Sequence, residues 1–217
     1  FYWYKWASDF ILKAIRHFEE ATTICPDFAL AYARLSACYL YLGAAGFMAN
    51  KIAYSKAKDY ALMAISLDDS LVDSQISQGM VKYFNDWDWE EAEKCFIKAL
   101  EINPMDATAN YNLGVYFVQK KMYEQAAFQF KKAIEIEPNH SEPMLYLLLG
   151  YMYSAAGLDL IEVEKLMDKA KNMDPLTPIV KTCQGWRLLF QGEFQESVEE
   201  LAEWLHSLEQ VHSPFMI

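Results

Sequence analysis

Residues 90–104, EEAEKCFIKALEINP, and residues 124–138, EQAAFQFKKAIEIEP, share one skeleton: Ala92, Phe96, Ala99 and Pro104 return as Ala126, Phe130, Ala133 and Pro138, each thirty-four positions later. Intervals of four and three residues put the two alanines and the phenylalanine on one face of a helix. The proline beyond them cannot extend that helix, because it lacks an N–H and collides with the preceding turn. A small-large-small face closed by proline predicts a helix packed tightly against a neighbour. Its return at a fixed interval predicts a chain built from copies of one small unit.

The same face appears upstream in LKAIRHFEEATTICP (12–26), with Ala14, Phe18, Ala21 and Pro26, and in SKAKDYALMAISLDD (55–69), with Ala57, Ala61 and Ala64. Downstream it weakens to Ala170 and Pro175, then to Ser197, Leu201 and Trp204. Before these faces lie AYARLSACYLYLG (31–43), SQISQGMVKYF (74–84), ATANYNLGVYFVQ (107–119), MLYLLLGYMYSAAG (144–157) and KTCQGWRLLFQG (181–192), so each unit holds two helices.

With Leu113, Gly114, Phe117, Ala126, Phe130, Ala133 and Pro138 in place, the chain resembles the tetratricopeptide repeat family over nearly its whole length. The resemblance implies an all-α fold, a right-handed superhelical solenoid of antiparallel helix pairs. Gly114 and Ala126 then let paired helices approach, and Phe130 fills the space beside them. The expected organisation is a single array over 1–217. It comprises a partial repeat (1–27), a repeat with a long insertion at 43–55 (28–70), four further repeats (71–105, 106–139, 140–176 and 177–210), and the start of a linker or helix (211–217). FYWYKW (1–6) reads as the tail of a first helix whose beginning lies outside the sequence, and HSPFMI (212–217) as a linker toward a further unit.

Departures from the period locate insertions. Gly79 to Gly114 is 35 residues although the second helices repeat at 34, which puts one extra residue in NDWDW (85–89). Leu35 to Ala57 is nine residues longer than Leu113 to Ala126, so GAAGFMANKIAYS (43–55) is inserted, and Pro138 to Pro175 is 37.

The stretch NDWDWEEAE (85–93) packs two tryptophans among five carboxylates, a mixture also found in sugar-binding clefts. Here it has architectural work: Trp89 falls at the turn between paired helices, Asp88 is placed to cap the second, and Glu91 follows three residues on, as in a capping box. Contact with a partner through Trp87 is the alternative.

Charge and composition exclude several classes. The net charge is −11, with seven basic and five acidic residues in the first sixty, so there is no basic footprint for nucleic acid. An acidic surface repels anionic lipid, and no apolar run approaches a bilayer span; a cytoplasmic location is expected for this segment, whatever tethers its parent. Cys25, Cys38, Cys95 and Cys183 show no paired spacing and are expected to be small buried apolar residues, and His17, His140, His206 and His212 form no metal motif. No metal, cofactor or catalytic residue is expected; the chain reads as a binding module rather than an enzyme.

In stacked helix pairs the first helices line the inner groove. Their free-face positions include Tyr41, Met80, Tyr83, Phe84, Tyr111, Val115, Gln119, Tyr151, Trp186 and Phe190, a mostly apolar and aromatic surface. Some tetratricopeptide proteins clamp a C-terminal carboxylate with Lys, Asn and Arg. Only Arg34 and Asn112 stand at such positions here, so the groove suits an amphipathic helix or extended apolar segment instead. Its occupant is expected to be a partner protein, another part of the parent chain, or a second copy in a homodimer. Phe47 and Met48 in the insertion form a second candidate contact; the alternative is that the insertion only lengthens the two helices it joins. The competing readings are a closed pocket sensing a small ligand and a carbohydrate-active helical enzyme.

KYFNDWDWEEAEKCFIKALEINP (82–104), DPLTPIVKTCQGW (174–186) and RHFEEATTICPDFALAYARLSACYLYLG (16–43) also resemble the repeat regions of bacterial signalling proteins, including transcriptional regulators and adenylate-cyclase-associated proteins. That resemblance implies a regulatory or partner-binding module of a larger protein.

Overall fold

The computed structural model describes residues 2–138, 146, 149–150, 152–153, 157, 160–173, 185, 188–189, 192–199 and 201–202. The helices with described bounds are α1 (Tyr2–Ile24), α2 (Ala29–Ala44), α3 (Asn50–Leu67), α4 (Val72–Val81), α5 (Trp89–Ile102), α6 (Ala107–Gln119), α7 (Tyr123–Ile136) and α8 (Leu160–Met173), and no strand occurs among the described residues. The fold is all-α, of the solenoid class built from antiparallel helix pairs. The chain divides into two compact units, Phe1–Tyr116 and Phe117–Ile217.

In the first unit the alanines of the repeated face are the contact points between helices. Ala57, Ala61 and Ala64 of α3 and Ala92 and Ala99 of α5 are each 0% exposed, which is why nothing larger stands there. A methyl group built on Gly79 would lie 2.5 Å from the ring of Phe96, itself fully buried, so α4 rests directly on that ring. One on Gly43 would meet Tyr54 at 2.5 Å. Around these approaches Ile15, Leu35, Tyr39, Leu40, Leu42 and Val81 form a continuous cluster from α1 to α4. Ile76, Ala99 and Ala109 carry the packing on through α5 to α6.

Within the second unit Ser197 occupies the small-residue position, and its hydroxyl donates to the Gly185 carbonyl at 2.7 Å. A methyl on Gly185 would meet Leu201 at 2.5 Å, the Gly79–Phe96 contact in another unit. The Tyr146 hydroxyl donates to the Pro138 carbonyl, and Lys169 Nζ lies 4.5 Å from the centre of the buried Tyr146 ring.

Both clear insertions are absorbed by helices. α2 runs nine residues past Leu35 where α6 runs six past Leu113; five residues rather than three join the next helix; and α3 begins seven residues before Ala57 where α7 begins three before Ala126. The nine-residue excess is therefore mostly extra helix. The single extra residue near NDWDW appears as a π-helical turn, Lys82–Asp86, the form a helix takes when one residue is added without losing its register.

Turns between paired helices follow one rule. Gly46, Lys121 and Gly192 adopt positive φ, and the next N–H donates five residues back: Phe47 to Leu42 O, Met122 to Phe117 O, and Glu193 to Leu188 O, each 2.9 Å. After the π turn the bond reaches six residues back, from Asp88 N–H to Lys82 O at 2.9 Å, and Trp87 takes the positive φ of 55°. Lys121 holds φ 59° in a position glycine adopts without strain. Lys121→Gly is therefore expected to stabilise the protein by about 0.5–1 kcal/mol, measured as a shift in urea midpoint at constant slope; a destabilised variant contradicts this reading of the turn.

Three expectations are corrected. Tyr2–Trp6 is not the end of a separate helix but the front of α1, which is continuous to Ile24. Asp88 caps α5 by accepting from Glu91 N–H at 3.3 Å, but the Glu91 carboxylate reaches forward to Lys94 rather than back to the cap, so only half the capping box forms. Cys38 is buried and Cys95 half-buried, whereas Cys25 is exposed, its thiol donating to the Asp27 carboxylate at 2.9 Å. That hydrogen bond, with the negative charge of Asp27, raises the Cys25 thiol above its usual pKa. Cys183 lies outside the described residues.

Candidate functional site

The first unit contains α2, α4 and the part of α6 up to Tyr116, and their expected groove residues are unevenly exposed. Tyr41 is 40% exposed, with its ring 6.4 Å from that of Phe47. Met80, Tyr83, Phe84, Tyr111 and Val115 are half-buried. Met80 and Phe84 seat one side against the cluster around Leu35 and Val81. Tyr83 meets Phe84 edge-on at 4.9 Å, and burial raises its phenol above the ordinary tyrosine pKa. Ala33, Leu40 and Ile76, at equivalent positions, are core residues.

Phe47 and Met48 are half-buried against the same cluster, and both of their N–H groups donate to the Leu42 carbonyl. In the second unit Gln119 is exposed. Tyr151, Trp186 and Phe190 lie outside the described residues, as do His140, His206 and His212.

The two polar groups at clamp-like positions each bond within the chain, Arg34 at the surface and Asn112 in the interior. Arg34 Nη2 pairs with Asp73 Oδ1 at 2.7 Å, tying α2 to α4. The Asn112 amide, 6% exposed, donates to the Thr108 carbonyl at 2.8 Å within its own helix. Buried and bonded within its own helix, Asn112 is not poised for a peptide carboxylate.

Sequence reasoning missed how the π turn is held. Asp86 receives Lys58 Nζ at 2.7 Å from α3 and Lys82 Nζ at 3.1 Å from its own turn, and the Asn85 amide donates to it at 2.7 Å. Burial pushes the Asp86 carboxyl up, but the bonds from Lys58, Asn85 and Lys82 outweigh it and hold its pKa below the usual carboxylate value. Lys58 and Asp86 stand 28 residues apart, so no local motif announces their pairing.

No group of three or more His, Cys, Asp or Glu suited to a metal occurs among the described residues, and His17 faces Glu20 at 3.4 Å on the surface of α1. Nor, among them, is any helix long and apolar enough to cross a membrane.

Residues 107–140 match the family model described as tetratricopeptide repeat. The chain is 25% identical over 150 residues to anaphase-promoting complex subunit 3 of Schizosaccharomyces pombe, an alignment covering 69% of this chain and 22% of that protein, so the chain spans under a quarter of that relative. Among solved structures it is similar to a thermophilic tetratricopeptide protein of Thermus thermophilus, with a TM-score of 0.65 and 18% identity over 85% of this chain and 93% of the other. It is also similar to a chain of the anaphase-promoting complex hetero-tetramer Cut9–Hcn1, with a TM-score of 0.70 and 13% identity over 92% of this chain and 36% of the other. These likenesses, with the matched repeat, support tetratricopeptide-type helix pairs, a fold typical of protein-interaction scaffolds.

Proposed function

We propose that the chain is a protein-interaction module whose first unit takes an apolar or amphipathic segment of a partner protein along α2, α4 and α6. The observation that carries this reading is the row Tyr41, Met80, Tyr83, Phe84, Tyr111 and Val115, left partly open on three successive first helices while Arg34 pairs with Asp73 and the buried Asn112 bonds its own helix. Burying such a surface yields roughly 25 cal/mol per Å² before ordering costs. The assembly of Cut9 with Hcn1 lends support by analogy. The repeat boundaries given above, extension of the groove to Gln119, Tyr151, Trp186 and Phe190, and a regulatory parent of the bacterial signalling type belong to the same proposal. The last of these rests on sequence likeness alone.

Selecting a random peptide library on the full chain is expected to enrich amphipathic sequences. Tyr41→Glu with Tyr111→Glu, which places charge on the partly open face, is expected to weaken the enriched peptides at least about tenfold while circular dichroism stays helical. Equal binding by the folded double variant removes the groove from consideration.

A further inference from the structure

The π turn delivers one side chain that the packing of the repeat does not use. Trp87 is 71% exposed and is held at φ 55°, the conformation glycine supplies at Gly46 and Gly192. Its ring meets Trp89 at 6.2 Å between centres and 62° between planes, an edge contact that leaves indole face uncovered. Phe128, 57% exposed, by contrast carries Lys132 Nζ at 4.8 Å from its ring centre. No described lysine or arginine lies over Trp87.

The surrounding charges are already sorted. Lys58 and Lys82 are taken by Asp86, and Lys94 by Glu91. Asp88 caps α5. Glu90 is exposed and makes no hydrogen bond or ion pair with a described residue, although its field reaches Lys94. An open indole face with an uncommitted carboxylate three residues on in the sequence, the neighbouring cations being engaged, complements a cation that also presents N–H donors.

We propose that Trp87 and Glu90 form a second docking point, for an arginine in a basic segment of a partner protein. The guanidinium lies over the indole of Trp87 and donates to the Glu90 carboxylate. A planar fork of donors satisfies both at once, which a lysine ammonium does less well.

The test titrates the full chain with the capped peptide Arg-Gly-Arg-Gly-Arg and with its citrulline counterpart, which keeps the shape and removes the charge. The readout is the ¹⁵N-indole signal of Trp87, assigned from its absence in Trp87→Phe. The arginine peptide is expected to shift that signal and the citrulline peptide to leave it in place. Trp87→Gly is expected to weaken binding about fivefold and Glu90→Gln about threefold. Because glycine fits the positive φ, Trp87→Gly is also expected to keep or raise the unfolding midpoint, which separates lost binding from lost fold. Equal shifts with citrulline overturn the proposal. So does undiminished affinity in Trp87→Gly, which would assign the peptide to the general negative field, and so does free arginine amide binding as tightly as the peptide, which would assign the site to a small cation.

Discussion

Phe96→Ala is expected to lower the stability of the first unit by about 4 kcal/mol, the cost of emptying a fully buried aromatic site that cannot collapse. Collapse is blocked because the surrounding contacts are already minimal: Ala92 and Ala99 flank the ring on α5, and Gly79 meets it from α4 without a side chain. The same geometry predicts a cost from the other partner. A methyl at Gly79 would lie 2.5 Å from the ring, so Gly79→Ala is expected to lose about 2 kcal/mol through overpacking, net of the helix propensity that alanine adds. Combined with Phe96→Ala, the Gly79 substitution is expected to reverse sign and restore part of the lost stability, because the methyl then occupies vacated space. Urea unfolding of the four proteins, followed by helical signal with each transition fitted separately, measures the coupling. Simple additivity would mean that the two residues do not share one contact in solution.

That contact was largely legible in the sequence. The small-large-small interval at Ala92, Phe96 and Ala99 has few physical solutions other than a helix pressed on its neighbour, and Gly79 stands where the neighbour must be smallest. The two insertions were legible as counts but not as shapes. A count does not say whether extra residues lengthen helices, as around Phe47, or enter a π turn, as at Lys82–Asp86, because that depends on which backbone bonds the flanking packing leaves open. The site was less legible than the fold. On the same first helices Ala33, Leu40 and Ile76 are buried while Tyr41 and Tyr83 stay partly open: Leu40 lies in the cluster with Val81 of α4 and Ile76 packs with Ala99 and Ala109, contacts that the period alone does not reveal. Ion pairs between distant residues, such as Lys58–Asp86 and Arg34–Asp73, carry no periodic signal at all.

The alkaline limb of stability is expected to be governed in good part by Tyr116. This side chain is 5% exposed, and its hydroxyl donates to Glu93 Oε2 at 2.8 Å. Burial first, then the hydrogen bond to Glu93 and the charges of Glu93 and Glu90, push its pKa up to about 12. An unfolded tyrosine loses its proton near pH 10. Between those values the folded chain retains a proton that the unfolded chain has released, so stability falls as pH rises. The contribution is complete below about pH 10 and is lost by about pH 12, a span worth up to about 3 kcal/mol. Tyr39, Tyr60 and Tyr83 are raised as well, so the slope of the wild-type protein alone does not isolate Tyr116. Comparison with Tyr116→Phe does. At pH 8 the variant is expected to be about 1 kcal/mol less stable through loss of one hydrogen bond. It lacks the titrating group, so its stability falls less steeply above pH 10, and the two curves are expected to cross near pH 11. Glu93→Gln removes the acceptor charge but leaves the burial, and is expected to narrow the alkaline window without abolishing it. Parallel curves for wild type and Tyr116→Phe from pH 8 to pH 12 would show that the phenol is neither buried nor held against the Glu93 carboxylate in solution.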